Sequence, residues 1–235
     1  MKAFIFCTSS IEKNSETHDM SRYNRWIKFY EPLLKRFNAE HLQLIDDSGS
    51  AYDADIAYAD NFLPDVHPES PHIYRFDKKL GRTSQMQFPG WWRSYLFSIE
   101  FARKYGYQKI IHIESDFFIF SDRLIDFIAQ LDSGWTSLYS IFYDHPETAI
   151  QVICQDQFSN FDDFKKQIVT EDYMIESFAE KIIPFTNIET RFNGDRFGEE
   201  LVLAAWIDRY RHRMQKLDYF GQIILPAKLQ VHSRS

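Results

Sequence analysis

The sequence predicts an α/β fold, a single domain built on a mixed, mostly parallel sheet flanked by helices, and three observations carry that prediction. Short apolar runs at residues 2–7, 41–45 and 109–113 alternate with longer amphipathic stretches at helical spacing, the pattern of βαβ units. Each run ends in small polar or acidic residues: Thr8-Ser9-Ser10, Asp46-Asp47-Ser48-Gly49-Ser50 and Glu114-Ser115-Asp116. No Pro/Gly-rich linker, internal repeat or low-complexity run divides the 235 residues, a length that one domain accommodates.

Residues 2–7 form the first strand, and the hydroxyls and backbone N–H groups after it fall where open α/β sheets take ligands. Trp26, Phe29, Tyr30, Leu33, Leu34 and Phe37 recur at helical spacing over 21–37, with Pro32 marking a kink or a restart. A strand at 41–45 completes a βαβ unit, whose crossover makes the pair parallel. Residues 54–59 and 72–76 are weaker strand candidates, and the polar, uneven stretch 77–90 reads as a loop. Trp92, Tyr95, Leu96, Ile99 and Ala102 mark a helix that Gly106 stops, and 109–113 is the clearest buried strand. After 117–120 comes a helix over 122–131 with Ser121 as N-cap, then a strand over 136–142. Residues 160–183 lean helical, 198–213 form a helix after the Asn193-Gly194-Asp195 turn, and 229–231 is a last short strand.

Composition narrows the function. With 44% hydrophobic and 17% aromatic residues the chain can bury a sizeable core, and disordered or collagen-like readings fail. A net charge of -7, from 27 basic and 34 acidic residues, argues against nucleic acid as a partner. Cys7 and Cys154 are the only cysteines, which indicates neither a disulfide framework nor a zinc site and points to a reducing cytoplasm. The apolar run at 4–7 is too short for a signal-peptide core, and no run approaches the ~20 residues of a membrane span, so a soluble or peripheral protein is expected. The signatures of P-loop, Rossmann dinucleotide, zincin and lipase-type enzymes are missing.

The strongest chemical signal is Glu114-Ser115-Asp116, where a buried strand ends in two carboxylates two residues apart. Hard oxygen ligands at a strand end suit Mg²⁺ or Mn²⁺, which in phosphate sites take one or two protein carboxylates and fill the rest of their shell with phosphate and water. The same acids also suit a turn cap or pairing with lysines.

Taken in order and spacing, several segments resemble the nucleotide-sugar-dependent glycosyltransferases of the GT-A fold superfamily. Glu114-Ser115-Asp116 looks like their D-x-D signature, with Glu114 in place of the first Asp, and Leu44-Ile45-Asp46-Asp47-Ser48-Gly49-Ser50 is similar to their V-D-D-G-S segment, with Gly49 one residue later. Trp91-Trp92-Arg93, Tyr105-Gly106-Tyr107 and Phe117-Phe118-Ile119-Phe120 add to the likeness, which spans about the first 140 residues. The resemblance implies a Rossmann-like nucleotide-sugar-binding half over 1–140 and an acceptor-binding half over 141–235. It implies Mn²⁺ or Mg²⁺ on Asp116 and Glu114, completed by the late His232. Thr8 and Ser9, with Asp46 or Asp47, would face the nucleobase or ribose, and Arg93 a phosphate or the donor sugar.

Glu199-Glu200, after Asn193-Gly194-Asp195, resembles the acceptor-side acidic pair of inverting members of that superfamily. Glu200 would be the base and Glu199 would position the acceptor or the helix; acids in a first helical turn also simply suit the helix dipole. Trp206, Arg209, Tyr210, Arg211, Arg213 and Lys216 form a basic, aromatic stretch that suits either anionic lipid headgroups, as a peripheral contact at the inner face of the cell membrane, or plain solvation. The expectation is therefore a metal-dependent, inverting, hexosyltransferase-type enzyme. It would move a sugar from a nucleotide diphosphate donor to a glycan or glycolipid hydroxyl, in bacterial lipopolysaccharide or capsule synthesis. The alternatives are a sugar-nucleotide-forming nucleotidyltransferase, whose Gly-rich loop is missing from residues 8–14, and a catalytically silent nucleotide- or glycan-binding module.

Overall fold

The computed structural model of the chain describes residues 1–10, 21–47, 59–60, 62–84, 86–141, 143–195 and 216–221. In chain order the first half comprises β1 (Ala3–Ser9), α1 (Ser21–Tyr30), a 3-10 helix (Glu31–Phe37), β2 (Ala39–Asp46), β3 (Ala59–Asp60), β4 (His72–Arg75), α2 (Pro89–Tyr105) and β5 (Lys109–Ile113). There follow β6 (Phe118–Ile119), α3 (Asp122–Gln130), β7 (Trp135–Ser140), β8 (His145–Cys154), α4 (Phe158–Thr170), α5 (Ala179–Ile182), β9 (Asn187–Glu189), β10 (Gly194–Asp195) and β11 (Tyr219–Phe220).

Among the described residues, eight strands form one sheet in the order β3-β4-β2-β1-β5-β8-β7-β9. The pairs from β3 through β5 are parallel, as is β7 with β9, whereas β8 runs antiparallel to both β5 and β7. This is the mixed, mostly parallel, helix-flanked sheet expected of the sequence. The sheet continues across residue 140 without interruption.

Every residue of β1 is buried, because the sheet is covered on both faces. Ala3, Ile5 and Cys7 join one core with Trp26, Ile27 and Tyr30 of α1 and Leu124, Ile125 and Ile128 of α3. Phe4 and Phe6 join a second core with Trp92, Tyr95 and Ile99 of α2 and Phe161 and Phe164 of α4. Burying each such side chain contributes about 1.5–3 kcal/mol, so a strand without a polar face is most stable mid-sheet. The period-2 alternation assigns its residues to the two layers.

Local signals act as expected where they are strong. Gly106 takes the left-handed conformation (φ 70°) that ends α2, and its N–H bonds Ala102 and Arg103 carbonyls. Ser121 caps α3 by accepting from the Leu124 N–H. The helix expected over 21–37 changes character at Pro32: α1 ends at Tyr30 and a 3-10 helix continues, since Pro cannot donate to the preceding turn. The polar stretch 160–183 divides into α4 and the short α5.

The ten-residue β8, which has no counterpart among the expected strands, is the largest difference from the sequence reading. Its Thr148, Ile150, Val152 and Ile153 are β-branched, a signal that was present in the sequence. Within residues 54–59 only Ala59 lies in the described chain, as the start of β3, and residues 198–213 and 229–231 lie outside the described residues. A separate three-stranded sheet joins β10, β11 and β6. Asp218 fixes it by accepting from Ser121 Oγ at 2.6 Å, Arg123 Nε at 2.7 Å and the Asn193 N–H at 2.8 Å.

Candidate functional site

The C-terminal ends of β1, β2 and β5 lie side by side, with Ser9 beside Asp46 and Phe6 beside His112 in register. A cavity of about 830 Å³ opens there, within the range of small-molecule sites. Its walls include Thr8, Ser9, Asp47, Glu114 and Asp116, so the strand-end residues singled out in the sequence converge on one space. Arg22, Lys79, Arg82, Trp91, Phe88, Phe178 and Glu180 also line it, and sequence reasoning did not select them as site residues.

Glu114 is held from three directions. Its carboxylate accepts from Trp91 Nε1 at 2.5 Å, His112 Nε2 at 3.0 Å and Thr8 Oγ at 3.0 Å. Burial pushes its carboxyl up, but attraction to His112 and the bonds from His112, Trp91 and Thr8 outweigh that and leave it below the usual carboxylate range. Trp91 is in turn fixed by parallel stacking on Tyr95, with centroids 4.9 Å apart. Glu114 is therefore a preorganised negative charge at the cavity wall.

Asp116 stands two residues on, past the strand, and Arg22 Nη2 lies 3.4 Å from its Oδ1. The two side chains are 30% and 19% exposed, so this charged pair faces the cavity with only partial solvent screening.

Asp46 and Asp47 diverge despite adjacency, because successive strand residues point to opposite faces. Asp46 is fully buried and accepts from Ser9 Oγ at 2.9 Å. Asp47 accepts from the Gly81 N–H at 2.7 Å, from the Leu80 N–H, and from Arg93 Nη2. Arg93 also donates to the Lys78 carbonyl and lies 3.9 Å over the Phe76 ring. A Cβ at Gly90 would run into the Asp47 carboxylate, so the knot needs glycine there. Together these contacts fold the 77–90 stretch over the end of β2, and that stretch carries Lys79 and Arg82 to the cavity.

On the opposite side, the β7–β8 pairing jumps from Ser137 beside Gln151 to Leu138 beside Glu147. The bulge delivers Thr148 and Ala149 to the cavity. Glu199, Glu200 and His232 lie outside the described residues. In the sequence, the described residues that flank Glu199 and Glu200 are Asp195, buried in β10, and Lys216, and the last described residue before His232 is Gly221.

Among the described residues no group of three or more His, Cys, Asp or Glu side chains could hold a metal ion. A Mg²⁺ or Mn²⁺ there would rest on Asp116 and take phosphate and water as its remaining ligands, since three protein donors already occupy the Glu114 carboxylate. No helix of the described residues is long and apolar enough to cross a membrane.

No family model matches the chain, and no curated protein matches it. Among solved structures, one similar chain is the crystal structure of a glycosyltransferase involved in the glycosylation of the major capsid of PBCV-1, at 9% identity, covering 92% of each chain with a TM-score of 0.45.

Proposed function

We propose that the chain is a glycosyltransferase that takes its sugar from a nucleotide diphosphate donor. One observation carries the reading: the cavity at the C-terminal strand edge combines two strand-end carboxylates, Glu114 and Asp116, with three cationic side chains, Arg22, Lys79 and Arg82. A diphosphate needs that mixture, positive charge for its oxygens and a hard carboxylate for any accompanying cation. The GT-A resemblance of the surrounding motifs supports the same reading and suggests an acceptor of glycan or glycolipid type, in cell-surface glycan synthesis.

In this reading Thr8 and Ser9 meet the nucleoside, with the buried Asp46 holding Ser9 from behind the cavity wall, while Arg22, Lys79 and Arg82 meet the phosphates. Asp47 and Arg93 hold the 77–90 stretch in place. Glu200, assisted by Glu199, takes the proton of the acceptor hydroxyl as its oxygen bonds the anomeric carbon. The bond from that carbon to the diphosphate breaks, and its electron pair leaves with the diphosphate, whose charge the three cations neutralise. A Mn²⁺ or Mg²⁺ on Asp116, with His232 as a further ligand, would supply additional positive charge to the departing diphosphate.

The test is a thermal-shift panel of uridine and guanosine diphosphate sugars with and without Mn²⁺. A donor at 100 times its Kd adds about 2.7 kcal/mol of stability. No shift with any nucleotide overturns the reading, and a shift without transfer or donor hydrolysis makes the chain a silent binding module. In single-turnover transfer, Glu200→Gln should lower the rate by about 10² while nucleotide affinity holds; an unchanged rate removes Glu200 as base and favours a retaining course.

A further inference from the structure

Apart from the strand-end cavity, a groove of about 440 Å³ lies along the second half of α4, and the two share no lining residue. Phe164 and Ile168 of α4 line it on one side, and Ile175 and Ile182 on the other. Asp172 and Tyr173 take left-handed backbone, φ 50° and 62°, and the turn they make ends α4 and returns the chain against it. Phe164 and Ile168 are buried members of the core on that side of the sheet, and Ile175 and Ile182 pack on it half-buried, so the floor is preformed. From Phe164 to Glu171 the chain rises about 10 Å, the length of two helical turns. The rim is acidic. Residues 167–180 contain Glu171, Asp172, Glu176 and Glu180 and no lysine or arginine, and the first three of those acids are exposed. The lysines of α4 are engaged elsewhere, Lys166 Nζ with Asp163 at 2.8 Å and Lys165 with Glu100. Val169 and Met174, 42% and 40% exposed, add apolar surface to the same stretch.

We propose that the groove docks a basic amphipathic helix of a partner protein. Apolar side chains three or four residues apart enter between α4 and the 175–182 stretch, and flanking lysines or arginines meet Glu171 and Asp172. Charge selects the occupant. A second copy would set the same acids against themselves across an isologous contact, and the chain's net charge of -7 adds to the repulsion. An anionic membrane surface or a nucleic acid meets the same repulsion, whereas a basic helix is drawn in.

Fluorescence anisotropy on the full chain tests it, with a labelled Leu–Lys peptide of about four helical turns as the probe. The controls are the same residues in scrambled spacing and the same spacing with Glu in place of Lys. The probe should bind at least about tenfold more tightly than either control. Thr170 is exposed and lines the groove, so Thr170→Trp sets a ring into it and should weaken probe binding about tenfold. Glu171→Lys combined with Asp172→Lys should weaken it similarly and remove most of its salt dependence. Both variants alter exposed positions, which leaves the core intact. Equal binding of the controls, or parental affinity in both variants, overturns the docking site. A parent dimer that Thr170→Trp dissociates, or binding to phosphatidylglycerol vesicles that the same variant abolishes, assigns the groove to a second copy or to lipid and overturns it as well.

Discussion

In the first part of β2 and at the start of β4, His41, Gln43 and His72 are almost wholly buried, and at the ends of β1 and β2 so are Thr8, Ser9, Asp46 and Asp47. The first group is closed on itself. Gln43 Oε1 accepts from His41 Nε2 at 3.2 Å and from His72 Nδ1 at 3.0 Å, and its amide donates to the Leu44 carbonyl. Nearby, Lys109 at the start of β5 donates to the Ile128 and Ala129 carbonyls, satisfying the end of α3. At the opposite edge the anchoring bonds come from within, but the carboxylates of Glu114 and Asp116 line an open cavity beside cations. Burying polar groups thus has two outcomes in one sheet: matched and sealed they make scaffold, and matched on one side only they make a site.

The largest expected effect breaks the contrast at the open edge. Asp116→Asn keeps shape and removes charge, so transfer should fall by about 10²–10³ and metal-dependent stabilisation by nucleotide should vanish while the fold persists. An unaltered metal-dependent shift in the variant would return the segment to a purely structural role. A second effect of similar energy lies behind that edge. Asp47→Ala leaves Arg93, 14% exposed, without its partner and strips the acceptor from the Leu80 and Gly81 N–H groups. It should cost about 3 kcal/mol in urea unfolding and speed hydrogen exchange at Leu80 and Gly81, whereas exchange at the parental rate would show that the stretch is held by other contacts.

The smallest effect, read per pH unit, sharpens the contrast from the sealed edge. Burial, with His67, His72 and Lys2 nearby, pushes His41 down to about 3, while the Gln43 bond opposes the fall. From about pH 6.5 down to that value the unfolded chain holds a proton that the folded chain does not, so stability declines by about 1.4 kcal/mol per pH unit. Glu114 adds to the loss at lower pH, because its folded carboxyl lies below the ordinary range and its contribution disappears as it protonates. Denaturant unfolding of His41→Gln should show an acid slope shallower by about one proton, and an identical slope would mean that another group carries the decline.

Much of the fold is legible because its signals are local. The runs at 2–7, 41–45 and 109–113, the Gly106 stop and the Ser121 cap each depend on neighbours within a turn or a strand, and each element forms as read. The acids at the strand ends are equally visible, since a βαβ unit delivers its strand termini to one edge. Partners were not legible. Trp91 reaches Glu114 across 23 residues and Arg93 reaches Asp47 across 46, and nothing in either segment alone names the other.

What the sequence by itself determined is therefore the α/β class, the parallel pairing of the strands at 2–7 and 41–45 and the edge at which chemistry collects, because hydrophobic periodicity and caps act over a few residues. Tertiary structure alone decided that β8 inserts antiparallel beside β5, that its bulge brings Thr148 to the cavity, that Asp47 and Arg93 fold a stretch bearing Lys79 and Arg82 over the site, and that Phe88 and Phe178 line the same cavity. Those outcomes depend on strand register and on contacts between residues far apart in the chain, whose energies exist only once the sheet has assembled.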